Sequence, residues 1–277
     1  MIQENVQVLW NKQVTDSCFR IGLNCNPGYS EARPGQFVML RVLDQLTPLL
    51  RRPFSIFSSI KEEGRIIGIE VMYKVVGQGT EILSACKKGD AIDMLGPLGN
   101  GFRIPDNCDR LFILAGGIGV PPMYFLASDL KEKSKNFLEC EVFLGGRTKE
   151  DLFGEDDFEK IGATIHIATD DGSKGEKGFI TDLLKKRLTD SEPDMICACG
   201  PMEMLKKIGS AARSHGIACQ ASVETMMACG MGACLGCAVE RKDDKQYLHA
   251  CVDGPVFNIE QIKLFDQEPL DDSLFKI

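Results

Sequence analysis

The chain has 277 residues, 44% hydrophobic and 26% charged, the balance of a globular protein with room for about two domains. With 32 basic against 40 acidic side chains the formal net charge is -8, and no basic run gives nucleic acid an electrostatic footing. No apolar stretch reaches the roughly 20 residues that span a bilayer, and the N-terminal MIQEN is no secretory signal, so the expectation is a cytoplasmic protein without a membrane anchor.

The first hundred residues read as strands. Residues 36–43 (QFVMLRVL) and 65–76 (RIIGIEVMYKVV) are rich in β-branched and large apolar side chains. In the second run Ile67, Ile69, Val71, Tyr73 and Val75 alternate on one face, the mark of a half-buried strand. Turns at Asn26-Pro27-Gly28, Arg33-Pro34-Gly35, Glu63-Gly64 and Lys88-Gly89-Asp90 separate short strands, which predicts an antiparallel barrel or sandwich over 1–104. A short helix is expected from Gly79-Thr80.

The pattern changes after Pro105. Apolar runs at 111–115 (LFILA), 140–144, 164–168 and 195–198 alternate with helical stretches at 122–133, 156–161, 180–188 and 201–214. Fully apolar strands between helices predict an α/β domain over 105–219, its parallel sheet covered on both faces. Residues 220–260, dense in Cys and Gly, fit neither pattern and form a third lobe. Residues 261–277 are a short acidic tail to which no role is assigned.

Twelve cysteines are unevenly spread. Cys18, Cys25, Cys86, Cys108 and Cys140 stand singly and read as small core hydrophobes. Cys229, Cys234, Cys237 and Cys251 spell C-x4-C-x2-C-x13-C, the plant-type spacing of a [2Fe–2S] cluster. Four thiolates must reach two irons through a loop that wraps closely. Gly230, Gly232 and Gly236 clear side chains from that approach, allow left-handed turns and leave N–H groups to donate to sulfur. Cys251 is expected from a strand over 247–252. Zinc is the rival metal, but its structural sites usually use two short Cys pairs rather than three ligands on one Gly-rich loop. His249 reads as a surface or packing side chain.

Three weaker signals point to nucleotides. Arg52-Pro53-Phe54-Ser55 offers a guanidinium for a pyrophosphate, a rigid proline and a hydroxyl for a ring nitrogen. Taken alone, the same four residues better suit an ordinary edge strand with an exposed arginine. Gly77-Gln78-Gly79-Thr80 opens a helix whose N–H groups suit phosphate, or else Thr80 is only a helix cap. Gly116-Gly117-Ile118-Gly119-Val120-Pro121-Pro122 follows an apolar strand and precedes a helix, the setting of a dinucleotide site without its G-x-G-x-x-G fingerprint. Cys199-Gly200-Pro201 closes the fourth apolar run, where an α/β sheet binds ligands, and also suits a buried thiol in a tight turn.

In this order the motifs resemble the ferredoxin–NADP reductase superfamily over about residues 5 to 260. With its cysteine cluster C-terminal, and with 224–237 (ETMMACGMGACLGC), Gly145-Gly-Arg-Thr-Lys-Glu-Asp and Thr169-Asp-Asp-Gly-Ser-Lys-Gly, the chain is similar to the iron–sulfur flavoprotein, electron-transfer subunits of NAD-dependent dihydroorotate dehydrogenases. The resemblance implies an FAD-binding barrel, an NAD-binding α/β domain and a [2Fe–2S] lobe. Arg52, Pro53, Phe54 and Ser55 would hold the flavin, with Ser55 near its reactive nitrogen. Met72, Tyr73 and Lys74 would line it, and Gly79 and Thr80 would meet its pyrophosphate. Gly116, Gly117 and Gly119 would shape the nicotinamide-nucleotide crevice, with Cys199 beside the hydride-accepting carbon. Lys74 stands where many relatives carry arginine.

The implied path runs from dihydroorotate to FMN in a separate catalytic subunit, joined as a heterotetramer, then through cluster and FAD to NAD, in pyrimidine biosynthesis. The same layout suits the small subunit of an NAD(P)H–ferredoxin oxidoreductase or sulfide dehydrogenase, some of which replace a cluster cysteine by aspartate. After 164–168, Thr169-Asp170-Asp171 places carboxylates where NADP users bind the 2′-phosphate. Asp171 is expected to accept from a free ribose 2′-hydroxyl, the alternative being a solvated turn with Gly172.

Overall fold

The computed structural model describes residues 1–43, 47–133, 139–242, 244 and 246–264. Six strands, β1 (Ile2–Gln13), β2 (Cys18–Asn24), β3 (Phe37–Val42), β4 (Arg52–Glu62), β5 (Arg65–Lys74) and β6 (Ala91–Leu98), close an antiparallel barrel in the order β1-β2-β5-β4-β3-β6. Its interior is filled by alternate residues such as Val8, Ile21, Leu23, Ile56, Ile69, Val71 and Tyr73. One helix, α1 (Gln78–Ala85), follows β5.

The half-buried reading of β5 needs correction. Ile69, Val71 and Tyr73 face the interior as expected, but Glu70 and Met72 on the opposite face are also buried. The second domain covers that face. Cys18, Phe57 and Met72 of the barrel pack with Val120, Met123 and Phe158 across the boundary, and Phe57 stacks on Tyr124 at 4.4 Å. Arg20 links Glu70 to Asp157 of the second domain, lying 2.9 Å from an Asp157 oxygen.

The strands of the second domain are β7 (Arg110–Gly116), β8 (Glu139–Gly146), β9 (Thr164–Thr169), β10 (Glu176–Lys177), β11 (Met195–Cys199), β12 (Ala218–Ser222) and β15 (Val256–Asn258). They form one sheet in the order β10-β9-β8-β7-β11-β12-β15. All neighbours are parallel except β15, which runs antiparallel to β12. The helices are α2 (Val120–Lys133), α3 (Glu155–Lys160), α4 (Ile180–Asp190) and α5 (Met202–His215). Two apolar clusters sandwich the sheet, as fully apolar strands require.

The third lobe is a loop plus a hairpin of β13 (Ala238–Glu240) and β14 (Tyr247–His249). It is tied to the barrel end, where Asn100 Nδ2 donates to the carbonyls of Val252 and Asp253 at 2.8 and 3.1 Å. Most of the acidic tail, 265–277, lies outside the described residues. Among the described residues no helix is long and apolar enough to cross a membrane.

Candidate functional site

A cavity of about 480 Å³ opens between the barrel and the second domain. The start of β4 contributes Arg52, Pro53, Phe54 and Ser55, the end of β5 contributes Met72, Tyr73 and Lys74, and the first turn of α1 contributes Gly79 and Thr80. Cys199, at the carboxyl end of β11, forms part of the far wall. All ten of these predicted residues thus meet at one cavity.

Local chemistry separates their roles. Of the adjacent arginines, Arg51 binds buried Asp93 through two hydrogen bonds of 3.0 Å, while Arg52 turns to the cavity and donates to the Leu50 carbonyl at 2.7 Å. Tyr73 lies within the barrel, its hydroxyl donating to Asn11 at 3.2 Å, so that hydroxyl is already paired inside the barrel core. The Thr80 hydroxyl donates to the Gly77 carbonyl at 2.8 Å and accepts from the N–H groups of Val76 and Gly77; Gly77 is the N-cap, and Thr80 braces it from the third position of α1 instead of capping the helix itself. Burial raises the Cys199 thiol, and the nearby Glu224 charge adds to this, so it stays protonated at neutral pH.

Sequence reasoning missed the rest of the far wall, formed by Ser222, Val223, Glu224, Thr225 and Met227. Glu224 is reached by solvent from the cavity yet hemmed in by protein, and that desolvation raises its carboxyl above the usual range. Thr225 Oγ1 is buried without a hydrogen-bond partner among the described residues. An unpaired buried hydroxyl on a cavity wall suits a ligand that supplies the missing bond, and this supports the fit of a flavin. The available signal was position, because 223–227 sits between β12 and the first cluster cysteine.

A groove of about 430 Å³ adjoins this cavity, and Lys74, Ile118 and Glu224 line both. Gly116, Gly117 and Gly119 form its floor. A Cβ on Gly119 would lie 2.3 Å from the Cys199 carbonyl oxygen, so glycine is what lets this turn seat against the end of β11. Asp170 lines the groove. Asp171 does not: its carboxylate accepts from the Ser173 N–H at 2.9 Å and hydroxyl at 2.7 Å. Those two bonds hold it below the usual carboxylate range and commit it to the turn.

The four cluster cysteines come together on the third lobe. Cys237 and Cys251 are buried with their sulfurs 3.2 Å apart, Cys229 is half-buried and Cys234 is exposed. Cys251 lies in the turn after β14 rather than on the expected strand, which ends at His249. The Gly232 N–H donates to Cys251 Sγ at 3.2 Å, and those of Met231 and Cys234 to Cys229 Sγ at 3.4 Å. Burial opposes ionisation of Cys229, but the N–H donors prevail and bring its thiol down to about 7. Gly230 and Gly232 take positive φ as expected. Gly236 does not, and the left-handed residue there is Leu235 at φ 58°. Among the described residues no three His, Cys, Asp or Glu side chains converge as on a single ion, whereas thiolates at a binuclear cluster are divided between two irons.

Comparison with known families agrees with these three sites. Residues 9–102 match the oxidoreductase FAD-binding domain, 113–209 the oxidoreductase NAD-binding domain, and 224–263 the iron–sulfur cluster binding domain of dihydroorotate dehydrogenase B. The last match favours the cluster over zinc. The solved structure of an NADH-dependent reduced ferredoxin-NADP oxidoreductase, a protein of flavin-based electron bifurcation, superposes with a TM-score of 0.80 and 33% identity, covering 98% of this chain and 91% of that one. The fold is also that of a ferredoxin NADP+ reductase from Neisseria gonorrhoeae, at a TM-score of 0.64, 18% identity and coverage of 77% and 92%. Fold and sites thus define an iron–sulfur flavoprotein oxidoreductase with FAD-binding, NAD-binding and cluster-binding domains.

The curated relatives are more specific. The dihydroorotate dehydrogenase B (NAD(+)) electron transfer subunit of Fusobacterium nucleatum is 36% identical, over 94% of this chain and 98% of the relative. That of Clostridium acetobutylicum is 38% identical, over 94% and 97%. The chain belongs to the family of dihydroorotate dehydrogenase B (NAD(+)) electron transfer subunits, and transfers electrons to NAD+.

Proposed function

We propose that this chain takes electrons from the FMN of a dihydroorotate dehydrogenase catalytic subunit, in a cytoplasmic heterotetramer serving pyrimidine biosynthesis, and delivers them to NAD+ through a [2Fe–2S] cluster and FAD. The observation that carries this is the continuity of the three sites along the chain. Lys74 borders both cavity and groove, and the cavity wall 223–227 runs directly into Cys229. FAD, when bound, exchanges one or two electrons and so joins a one-electron cluster to two-electron hydride transfer.

The chain's own residues do the positioning. Arg52 and the 77–80 turn hold the flavin phosphates, Ser55 and Thr225 face its ring system, and the Gly116–Gly119 turn seats the nicotinamide nucleotide. Protonated Cys199 supplies a neutral wall beside the reacting carbon. Cys229, Cys234, Cys237 and Cys251 hold the cluster. Exposed Met226, Met231, Leu235 and Val252 accompany exposed Cys234 on the same lobe, an apolar surface suited to a protein partner.

The test is partner dependence. The purified chain loaded with FAD should oxidise NADH with ferricyanide and show no dihydroorotate turnover until the catalytic subunit is added. Dihydroorotate turnover by the single chain would defeat the proposal. The similarity to the NADH-dependent ferredoxin-NADP oxidoreductase structure supports a second reading, electron exchange with a ferredoxin-linked partner. Reduction of ferredoxin in place of coupling to dihydroorotate would favour it.

Coenzyme choice follows from Asp170, which faces the groove. A carboxylate repels a 2′-phosphate and accepts from a 2′-hydroxyl. The kcat/KM for NADH should exceed that for NADPH by about tenfold or more. Asp170→Ser should shrink the ratio, while Asp171→Ala should leave it nearly unchanged. Equal efficiency with both coenzymes in the unaltered protein would show that Asp170 does not meet the ribose.

A further inference from the structure

The groove is poorly matched in charge to a dinucleotide. Its cations are Lys74, Arg147 and Lys207. Against them stand four carboxylates, those of Asp151, Asp170, Glu203 and Glu224. Every one of the three cations already has a partner. Lys74 Nζ lies 3.0 Å from one oxygen of Asp151, and Arg147 Nε lies 3.1 Å from the other. Lys207 Nζ sits over the Phe179 ring, 4.3 Å from its centroid.

Asp151 therefore clamps two cations at once, one from each domain. Lys74 ends β5 of the barrel, whereas Arg147 and Asp151 follow β8. Its side chain is 16% exposed. Burial disfavours its charge, but Lys74 and Arg147 outweigh that and keep it ionised. A dinucleotide seated on the Gly116–Gly119 turn brings two phosphate charges into this groove, where Lys74 and Arg147 are the two cations that Asp151 holds.

We propose that Asp151 is an internal phosphate mimic: its carboxylate occupies Lys74 and Arg147 until the pyrophosphate of the nicotinamide dinucleotide displaces it on binding. This rests on the reading of the groove as the NAD site. The exchange of one anion for another weakens dinucleotide binding below what the two cations alone would give, which favours release of NADH after each turnover. It also frees Asp151 from Lys74, so that nucleotide binding breaks an ion pair that joins the two domains.

The test is calorimetric titration of the FAD-loaded chain with ADP-ribose, which carries the pyrophosphate but cannot react. Asp151→Asn should bind it about five- to tenfold more tightly than the unaltered chain, with a steeper dependence on salt. Arg147→Gln should weaken binding, and Lys74→Gln added to Asp151→Asn should remove most of the gain. Weaker or unchanged binding by Asp151→Asn would overturn the proposal and make Asp151 a group that orients the cations or braces the domains. If Asp151→Asn fails to retain FAD, Arg147→Gln decides alone, and unchanged affinity in that variant overturns the proposal. Should the unaltered chain bind no ADP-ribose, the NAD reading of the groove falls with the proposal, whereas binding by the unaltered chain without tightening in Asp151→Asn sinks the proposal only.

Discussion

Cys234→Ser is expected to abolish dihydroorotate-to-NAD electron transfer in the assembled complex while leaving flavin content and NADH–ferricyanide activity nearly intact. Cys234 is the exposed member of the cysteine set, and it lies on the third lobe, outside the walls of both nucleotide sites. Its N–H also donates to Cys229 Sγ, a bond the serine backbone preserves, so the change removes one thiolate with little other disturbance. Altering outer-shell partners of a metal site already costs about 10- to 100-fold, so loss of a ligand should reduce coupling more than about a hundredfold. The checks are the iron and sulfide content, the visible spectrum, and the rate of NAD+ reduction by dihydroorotate with the partner present. Unaltered transfer in a variant lacking the cluster would remove the cluster from the electron path.

Gly119→Ala should produce the second large effect, at the other end of the route. The added methyl would meet the Cys199 carbonyl oxygen at 2.3 Å, the Cys199 carbonyl carbon at 2.6 Å and the Gly200 nitrogen at 2.9 Å. All three are backbone atoms. Cys199 is held between β7 and β12, in register with Ala115 and Ser222, so the strand end cannot yield cheaply. Overpacking of this kind costs about 1–3 kcal/mol. Here it falls on the turn that seats the nucleotide, so NADH affinity should drop by about tenfold or more. Gly117→Ala is the control: it has open space at its Cβ position but φ +52°, which predicts a cost of only about 1–2 kcal/mol from left-handed backbone. Stopped-flow flavin reduction by NADH, read beside flavin content, compares the two. Equal rates for Gly119→Ala and the unaltered chain would mean that the turn relaxes away from β11.

The features legible from sequence were those written in local pattern. The runs ending at Ala115, Leu144, Ala168 and Ala198 each became a strand of the parallel sheet; β7 and β11 are buried along almost their whole length, as unbroken apolar runs require, whereas β8 and β9 carry Glu141 and His166, which pair with each other at 2.7 Å. The four cysteines could be read because ligand chemistry leaves little freedom in residue type or spacing. Features that depend on what lies opposite were not legible. Strand β12 (ACQAS) is too short and too small in side chain to announce itself, and β15 exists only because it pairs with β12. The outer face of β5 looks solvent-directed until the second domain is laid on it. Glu224 and Thr225 open the stretch 224–237 that carries the family resemblance, but their place on the cavity wall comes from the cavity that two domains make together. The choice between Asp170 and Asp171 turned on one hydrogen-bonded turn at Ser173, which neighbouring identical residues cannot reveal.

The pairing of β12 with β15 has a further consequence. Ser222 stands directly across from Val256, so the whole cluster-bearing excursion, residues 223–255, leaves and rejoins the sheet at adjacent points on its edge. In topological terms it is an insertion between two strands that a tight hairpin could have joined. Such a graft needs no change in the path of the surrounding chain, since its two ends are already held together by the host. The sheet in turn provides the closure that a small, loop-rich lobe cannot make for itself, because the entropy of bringing its ends together is met once the strands have paired.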